Sequence, residues 1–471
     1  MHDITPTPPR PTGITSSPDD LKSPLVEPTP DVPWHKLLTR YHWFVLIVCV
    51  LGWMLDCMDQ QLFNLARKPA MQALVGPDRE QDFANYATAI FLVGWGVGGV
   101  GFGIVADLFG RARSMVFTIL LYSIFTGLSA VSVGFWDFAL YRFLTGLGVG
   151  GQFAVGVSLV AEEIPDRARP FALGWLQALS ALGNVTAALV QVGLAFLVYS
   201  GTVESSWRLM FVVGTVPAVL VIFIMTRLRE PEKWRKLAAE KTIRERLGAY
   251  SGELFQDPRW TRHAVVGLVL ASAGIIGLWA IGFFSIDLTR SITEVRMQGL
   301  GEKDRKFWND IYAALTSMMF NLGAFFGIYA FSRFTHHVGR RIAFAISLVL
   351  AGLSTAFVYW QLNTVADIFW MIPIMGFCQL ALFGGYAIYF PELFPTRLRS
   401  TGTSVCYNGA RFVAAATLFA QGPMVAYFRG LYHGDKLQAA RTGGMVMCLI
   451  FLVGLLVLPF APETKGKPLP E

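Results

Sequence analysis

Charge is scarce in this chain. Asp, Glu, Lys and Arg supply 15% of its 471 residues against 54% that are hydrophobic, too little for a water-soluble surface of that length. Cysteine is scarce too. Cys49, Cys57, Cys378, Cys406 and Cys448 each sit inside an apolar run without metal-ligand spacing, so they read as small buried thiols. None of the seven histidines falls in the middle of an apolar run, which argues against a histidine proton relay. Nucleotide-cradling loops, nucleophile elbows and His/Cys clusters are missing, so an enzyme reading finds no support and neither cofactor nor metal is expected. The net charge of +7 raises nucleic acid as a partner, but the basic residues form short clusters between apolar runs and no stripe, and that partner is set aside. The first 30-odd residues lack an apolar core. Rich in Pro, Thr and Ser, they read as a disordered tail and not as a signal peptide.

What the chain has is apolar runs of bilayer-spanning length, roughly 20 residues each. Twelve begin near Trp43, Asn85, Arg113, Trp136, Arg169, Trp207, Arg262, Trp308, Arg340, Asp367, Arg399 and Arg441. The expected fold class is an all-α membrane protein with twelve transmembrane helices in two pseudo-symmetric six-helix bundles. Expected boundaries are a cytoplasmic tail at 1–38, an N-terminal bundle at 39–228, a cytoplasmic linker at 229–261, a C-terminal bundle at 262–462 and a tail at 463–471. Arg111, Arg113, Arg167, Arg169, Arg333, Arg340, Arg341, Arg397 and Arg399 fall in short loops on one side, while "VSVGFWD" and "QLNTVAD" on the other are nearly uncharged. The bias predicts both termini in the cytoplasm of a cell that carries the chain in its plasma (inner) membrane. The halves also echo one another: "GIVADLFGRAR" with "RFTHHVGRR", and "AEEIPDRARPFALG" with "YFPELFPTRLRSTG". Such a pseudo-repeat implies two similar bundles with a cavity between them.

These motifs carry a family resemblance. "GIVADLFGRAR" resembles the G-x-x-x-D-x-x-G-R-x-R/K loop of major facilitator superfamily transporters, with Gly103, Asp107, Gly110, Arg111 and Arg113 in register. "RFLTGLGVGG" is similar to the fourth-helix signature of the same superfamily, and "EEIPDRAR", "REPEKW", "PELFPTRLRSTG" and "PETKG" resemble inner-loop signatures of sugar porters and of organic-ion and aromatic-acid transporters. The resemblance implies a secondary transporter that works by alternating access. It also implies a conformational latch made by Gly103, Asp107, Gly110, Arg111, Arg113, Glu162, Glu163, Arg167, Arg340, Arg341, Glu392, Arg397 and Arg399. The seventh run, "VGLVLASAGIIGLWAIGFFSIDL", has none of the glutamines that sugar porters carry there, whereas "GWMLDCMDQQLF" is similar to the D-x-x-D of aromatic-acid and sialate proton symporters and "YNGARFVAAA" to the A-R-x-G of organic-anion carriers.

An ionisable side chain at a helix centre costs about 2.5–3.5 kcal/mol on insertion scales and so marks function by default. Asp56 and Asp59, three residues apart, lie on nearly one face and disfavour ionising together, which suits proton carriage; a structural capping role for Asp56 is the alternative. Arg142 is expected to pair with Asp59, or else to brace helix ends. Arg411, near mid-membrane, is suited to gripping a carboxylate with two parallel bonds; a pair with Asp287 is the alternative. Gln177, Asn184 and Gln191 recur at sevens on one face, and with Asn321, Gln379, Tyr386, Tyr389 and Asn408 they are expected to line the pocket, with Trp279, Phe283 and Phe284 as stacking partners. The expected activity is proton-coupled symport of a small organic anion, aromatic or sugar-derived, with the proton as coupling ion and a monomer as the working unit. Sugar or polyol symport, drug antiport and a transport-inactive sensor are the alternatives.

Overall fold

The computed structural model describes residues 33–165, 168–219, 221, 228–231, 235, 253–395 and 398–465. Among these, every regular element is helical. A 3-10 turn at Trp34–Leu37 leads into α1 (Arg40–Val75), α2 (Glu80–Phe109), α3 (Arg111–Ser129), α4 (Phe135–Glu163), α5 (Arg169–Tyr199) and α6 (Ser206–Val213). The second half runs through α7 (Pro258–Ile276), α8 (Ser285–Arg296), α9 (Glu302–Val338), α10 (Arg340–Gln361), α11 (Met371–Glu392), α12 (Arg399–Leu431), α13 (Lys436–Met447) and α14 (Ile450–Val457). Pairing α7 with α8 and α13 with α14 gives twelve spans. Ten are long and apolar enough to cross a membrane; the sixth is described as a shorter apolar helix, Ser206–Val219, and α12 is a 33-residue helix with a more polar composition.

The helix starts follow local chemistry. Thr39 accepts from the His42 amide at 3.2 Å, Asp257 from the Arg259 amide at 2.8 Å, and Asp435 from the Gln438 amide at 2.9 Å, each satisfying a donor that the first turn leaves free. Asp257 thereby starts the seventh span at Pro258, a little before the expected Arg262. Gly110 (φ +116°) and Gly339 (φ +93°) make the sharp junctions α2–α3 and α9–α10, positions where a side chain would be strained. The seventh span is broken by a π-helical turn, Gly277–Gly282. Tyr359 Oη donates to the Ile281 carbonyl at 2.8 Å and Gln421 to the Ala280 carbonyl at 3.4 Å, so neighbouring helices satisfy the disturbed backbone.

Within each half, small residues bring backbones together. A Cβ on Gly94 or Gly98 of α2 would strike the Phe143 or Leu147 carbonyl of α4, and one on Gly146 or Gly150 would strike the Phe91 or Trp95 carbonyl in return. The second half repeats this between α9 and α11, where Gly323 and Gly327 meet the Pro373 and Phe377 carbonyls and Gly376 meets Phe320. Without water between helices, close van der Waals packing of this kind is what drives association. The halves meet along two seams, α2 against α12 and α5 against α9, which the pseudo-twofold exchanges.

Candidate functional site

Between the halves lies a cavity of about 70 Å³. The first half contributes Trp53, Cys57 and Gln60 from α1, Trp95 from α2, and Gln177, Ser180, Ala181 and Asn184 from α5. The second contributes Trp279 and Phe283 from the broken seventh span, Asn321 from α9, Phe383 from α11, and Tyr407 and Arg411 from α12. Residues 53, 57 and 60 are one helical stripe, as are 177, 181 and 184, so each helix presents a single face. A space this size is below the 150 Å³ or so of a cavity that accommodates a benzene ring.

Arg411 is the cation of this cavity. Its guanidinium lies between two rings, 4.0 Å from the Trp95 centroid and 4.4 Å from that of Tyr407. Nη1 donates to the Tyr407 carbonyl and to Asn408 Oδ1, both at 2.9 Å, while Nε is buried without a partner. Asn408 donates to Ser404 and rests against Gly99 of α2, so it lies behind Arg411 as its support. Asp287, the alternative partner of Arg411, is held by Arg67 at 2.6 Å instead. Asn184 donates to Asn321 at 2.7 Å, and Gln61 to Ser317 at 2.7 Å, tying the halves beside the cavity.

The two carboxylates of α1 face different neighbours, though the charge of Asp59 still acts on Asp56. Asp56 flanks the stripe of residues 53, 57 and 60, and its charge and that of Arg411 act on one another between the halves. Asp59 turns away into the first half, beside Gly214 and Thr126. Both are fully buried, and none of their oxygens has a hydrogen-bond partner. Asp59 and Arg142, the expected pair, make no direct ion-pair contact, although each charge acts on the other. Arg142 donates to Ser129 Oγ at 2.7 and 3.0 Å and to the Phe125 carbonyl at 3.4 Å, and sits among the rings of Phe63, Phe138 and Phe211.

Five of the expected lining residues belong elsewhere. Gln379 donates to Thr355 at 2.7 Å and Tyr386 to the Leu270 carbonyl at 2.8 Å, both inside the second half, because span-to-span hydrogen bonding inside a bundle uses the same residue types as a cavity wall. Gln191 lies beyond the cavity toward Asp310, about two turns past Asn184 along α5, and Asn408 acts through Arg411. Tyr389 donates to the Pro462 carbonyl at the loop face. Phe284 stacks under Arg67, 3.9 Å from its guanidinium. Sequence reasoning missed Trp53, Gln60, Trp95, Ser180, Phe383 and Tyr407; the 53/57/60 stripe was the one signal that could have found some of them.

The model of the Major Facilitator Superfamily matches residues 49–418. The chain belongs to that superfamily. Among similar proteins, a probable 4-methylmuconolactone transporter of Cupriavidus pinatubonensis is 27% identical, over 92% of this chain and 93% of its own. A cis,cis-muconate transport protein of Acinetobacter baylyi is 26% identical over 69% of this chain and 74% of its own. The crystal structure of a D-xylose-proton symporter superposes with a TM-score of 0.64 at 19% identity, covering 91% of this chain and all of that one; at that identity it speaks to the fold alone. This major facilitator chain is a multi-pass membrane transporter of small molecules, not an enzyme.

Where the latch is expected, the superfamily loops pair opposite charges inside each half. Arg111 reaches Glu162 through Nη2 at 2.9 Å and Nε at 3.1 Å, and Arg340 reaches Glu392 through the same two nitrogens at 3.0 and 3.1 Å. Glu230 accepts from the amides of Ala112 and Arg113 at the start of α3; Glu463 accepts from those of Arg340 and Arg341 at the start of α10. Carboxylates at helix N-termini meet free donors and the positive end of the helix dipole. These two glutamates come from "REPEKW" and "PETKG" and were not among the expected latch residues. Gly103 has open space beside it and makes no latch contact. Arg113 joins through its amide, and Glu163 ends α4 beside Glu162. The side chains of Asp107 and Arg399, and all of Arg167 and Arg397, lie outside the described residues.

Proposed function

We propose that this transporter carries a small organic anion together with a proton, by alternating access between its two halves. One observation supports the reading most: a permanently charged guanidinium at the wall of an aromatic cavity, clamped between Trp95 and Tyr407, with a buried Nε left free. Such a group matches a carboxylate, and the rings of Trp53, Trp279, Phe283 and Phe383 suit an unsaturated or cyclic body attached to it. The muconate and muconolactone names of the relatives point the same way. Asp56, beside the cavity and without a partner, is the first candidate for the proton, and Asp59 the second. The basic loops support a latch face in the cytoplasm, with both termini beside it, in a plasma or inner membrane. One chain holds the whole pathway, so the working unit is a monomer. No cofactor beyond the proton takes part.

A neutral sugar or polyol is the second reading, favoured by the amides Gln60, Gln177, Asn184 and Asn321 at the same cavity. The test is uptake into proteoliposomes under an inward proton gradient, with cis,cis-muconate, benzoate, sialate, glucose and inositol as solutes. An acid accumulating against its own gradient, lost on Arg411→Ala and uncoupled from the gradient by Asp56→Asn, is the expected result. Transport of glucose or inositol that survives Arg411→Ala would replace this reading with the second.

A further inference from the structure

At the mouth opposite the latch face, four charged side chains are withdrawn from water between the halves. Arg67 of α1 donates through Nη2 to Asp287 Oδ2 of α8 at 2.6 Å. Arg290, one turn on, stands 3.7 Å from Asp287 Oδ1 and 3.9 Å from Asp310 of α9, and donates to the Leu65 carbonyl at 3.0 Å. All four side chains are more than nine-tenths buried. The cluster therefore closes the outer path by pinning α1 to α8.

This closure is incompletely matched. Arg67 Nε, Arg290 Nη1 and Asp287 Oδ1 are buried with no hydrogen-bond partner. A guanidinium and a carboxylate bind best through two parallel bonds, and Arg67 and Asp287 make one. Buried charges that leave donors unmatched return little of what their desolvation costs. A carboxylate free to choose its angle would fit the two arginines better than the tethered one does.

Immediately outside lies a second cavity, of about 470 Å³, that shares Arg290 and Asp310 with the cluster and adds Lys68, Lys306 and Asn309. Its acids offset its bases: Glu80 holds Lys68 at 3.4 Å, and Glu294 and Glu302 stand with Arg305 and Lys306. An anion there gains by displacing a carboxylate, not by finding spare positive charge. Inward of the cluster, Phe284 lies under Arg67 and its neighbour Phe283 lines the central cavity. Ten residues of α1 separate Arg67 from Cys57 in the cavity wall, about 15 Å along the helix.

We propose that this vestibule admits carboxylates to a second site at Arg67 and Arg290, where the incoming carboxylate replaces Asp287 and so releases the outer mouth. The inference rests on the organic-anion reading above, and its test is separable from it. In full-length protein with Cys49, Cys378, Cys406 and Cys448 replaced by Ala, Cys57 is the remaining thiol. Its labelling by a membrane-impermeant methanethiosulfonate is followed in right-side-out vesicles, with inside-out vesicles in parallel to fix which face is addressed. Labelling through the mouth is expected to be slow at rest and to quicken with cis,cis-muconate or benzoate, in an Arg411→Gln background as well. Asp287→Asn is expected to quicken it about tenfold or more without any acid and to abolish the response to acid. The charge exchange Arg67→Asp with Asp287→Arg should slow it again, which guards against a variant that merely misfolds.

Slow labelling of Asp287→Asn overturns the proposal, as does no response to either acid, or a response that disappears in Arg411→Gln. Uptake of an acid in the same vesicles without a labelling response sinks the second site and leaves the transport reading standing. A labelling response without uptake supports the second site and removes the transport reading.

Discussion

Arg411 owes its position to Trp95, Tyr407 and Asn408. Two rings hold the guanidinium plane and one amide oxygen fixes its rotation, so Arg411→Lys is expected to cut initial uptake of a carboxylate at least about tenfold, since an ammonium neither stacks nor binds in two parallel bonds. Asn408→Ala should raise KM more than it lowers the maximal rate, because it loosens a binding group that remains present. Initial rates across a range of solute concentrations separate the two. At this scale the sequence was half legible. Gln177, Asn184, Asn321 and Arg411 reached the cavity, while Asp59, Gln379 and Tyr386 turned into their own bundles. A polar residue in an apolar run announces that it needs a partner, but the rotation of the helix about its axis decides where that partner stands. Only packing sets that rotation.

At the scale of the element, the start of nearly every span was readable to within a few residues from the apolar runs; the caps and the Gly110 and Gly339 turns that fix each start came from the structure. The π turn at Gly277–Gly282 was not, because it depends on Tyr359 and Gln421 reaching in from other helices. The contact of α2 with α4 gives a direct prediction. Gly98→Val, which forces a side chain against the Leu147 carbonyl, should cost about 1–3 kcal/mol or more of packing. A lower melting temperature in detergent is the readout, with Gly103→Ala, set beside open space, as the unaffected comparison. The Glu463 cap is another. Burial raises its carboxyl, but the amides of Arg340, Lys465, Arg341 and Thr464 outweigh burial and hold it below the usual carboxylate range. A depressed carboxyl contributes stability above its unfolded value, about 4.3, and loses it as pH falls through the lower folded value. The stability gap between wild type and Glu463→Gln should therefore stay level from neutral pH down to about 5 and close only below about 4. Melting curves across pH check this; a gap that closes near neutrality would contradict it.

At the scale of the whole molecule, the pseudo-repeat visible in the loop motifs became two bundles meeting along α2–α12 and α5–α9. Their relative placement was not readable, since it rests on contacts such as Tyr86 with Phe419, stacked at 5.6 Å across the first seam. That pair lies toward the outer mouth. Joining Tyr86→Cys to Phe419→Cys by oxidation should stop uptake, and reduction should restore it; unchanged uptake in the cross-linked protein would mean that this seam does not part. The contrast between contacts within and between the halves reaches further. Inside each half, Gly94, Gly98, Gly146 and Gly150, or Gly323, Gly327 and Gly376, set backbone on backbone, an arrangement with no room for adjustment. Across α2–α12, by contrast, Gly96 and Gly99 meet side chains, Phe412 and Asn408, which can swing. Inheritance can thus treat the two regions differently. Replacements at Gln60, Ser180, Phe283 or Phe383 of the cavity wall are expected to change which solute is accepted while leaving these contacts as they are, so a lineage can change its diet without rebuilding its machinery.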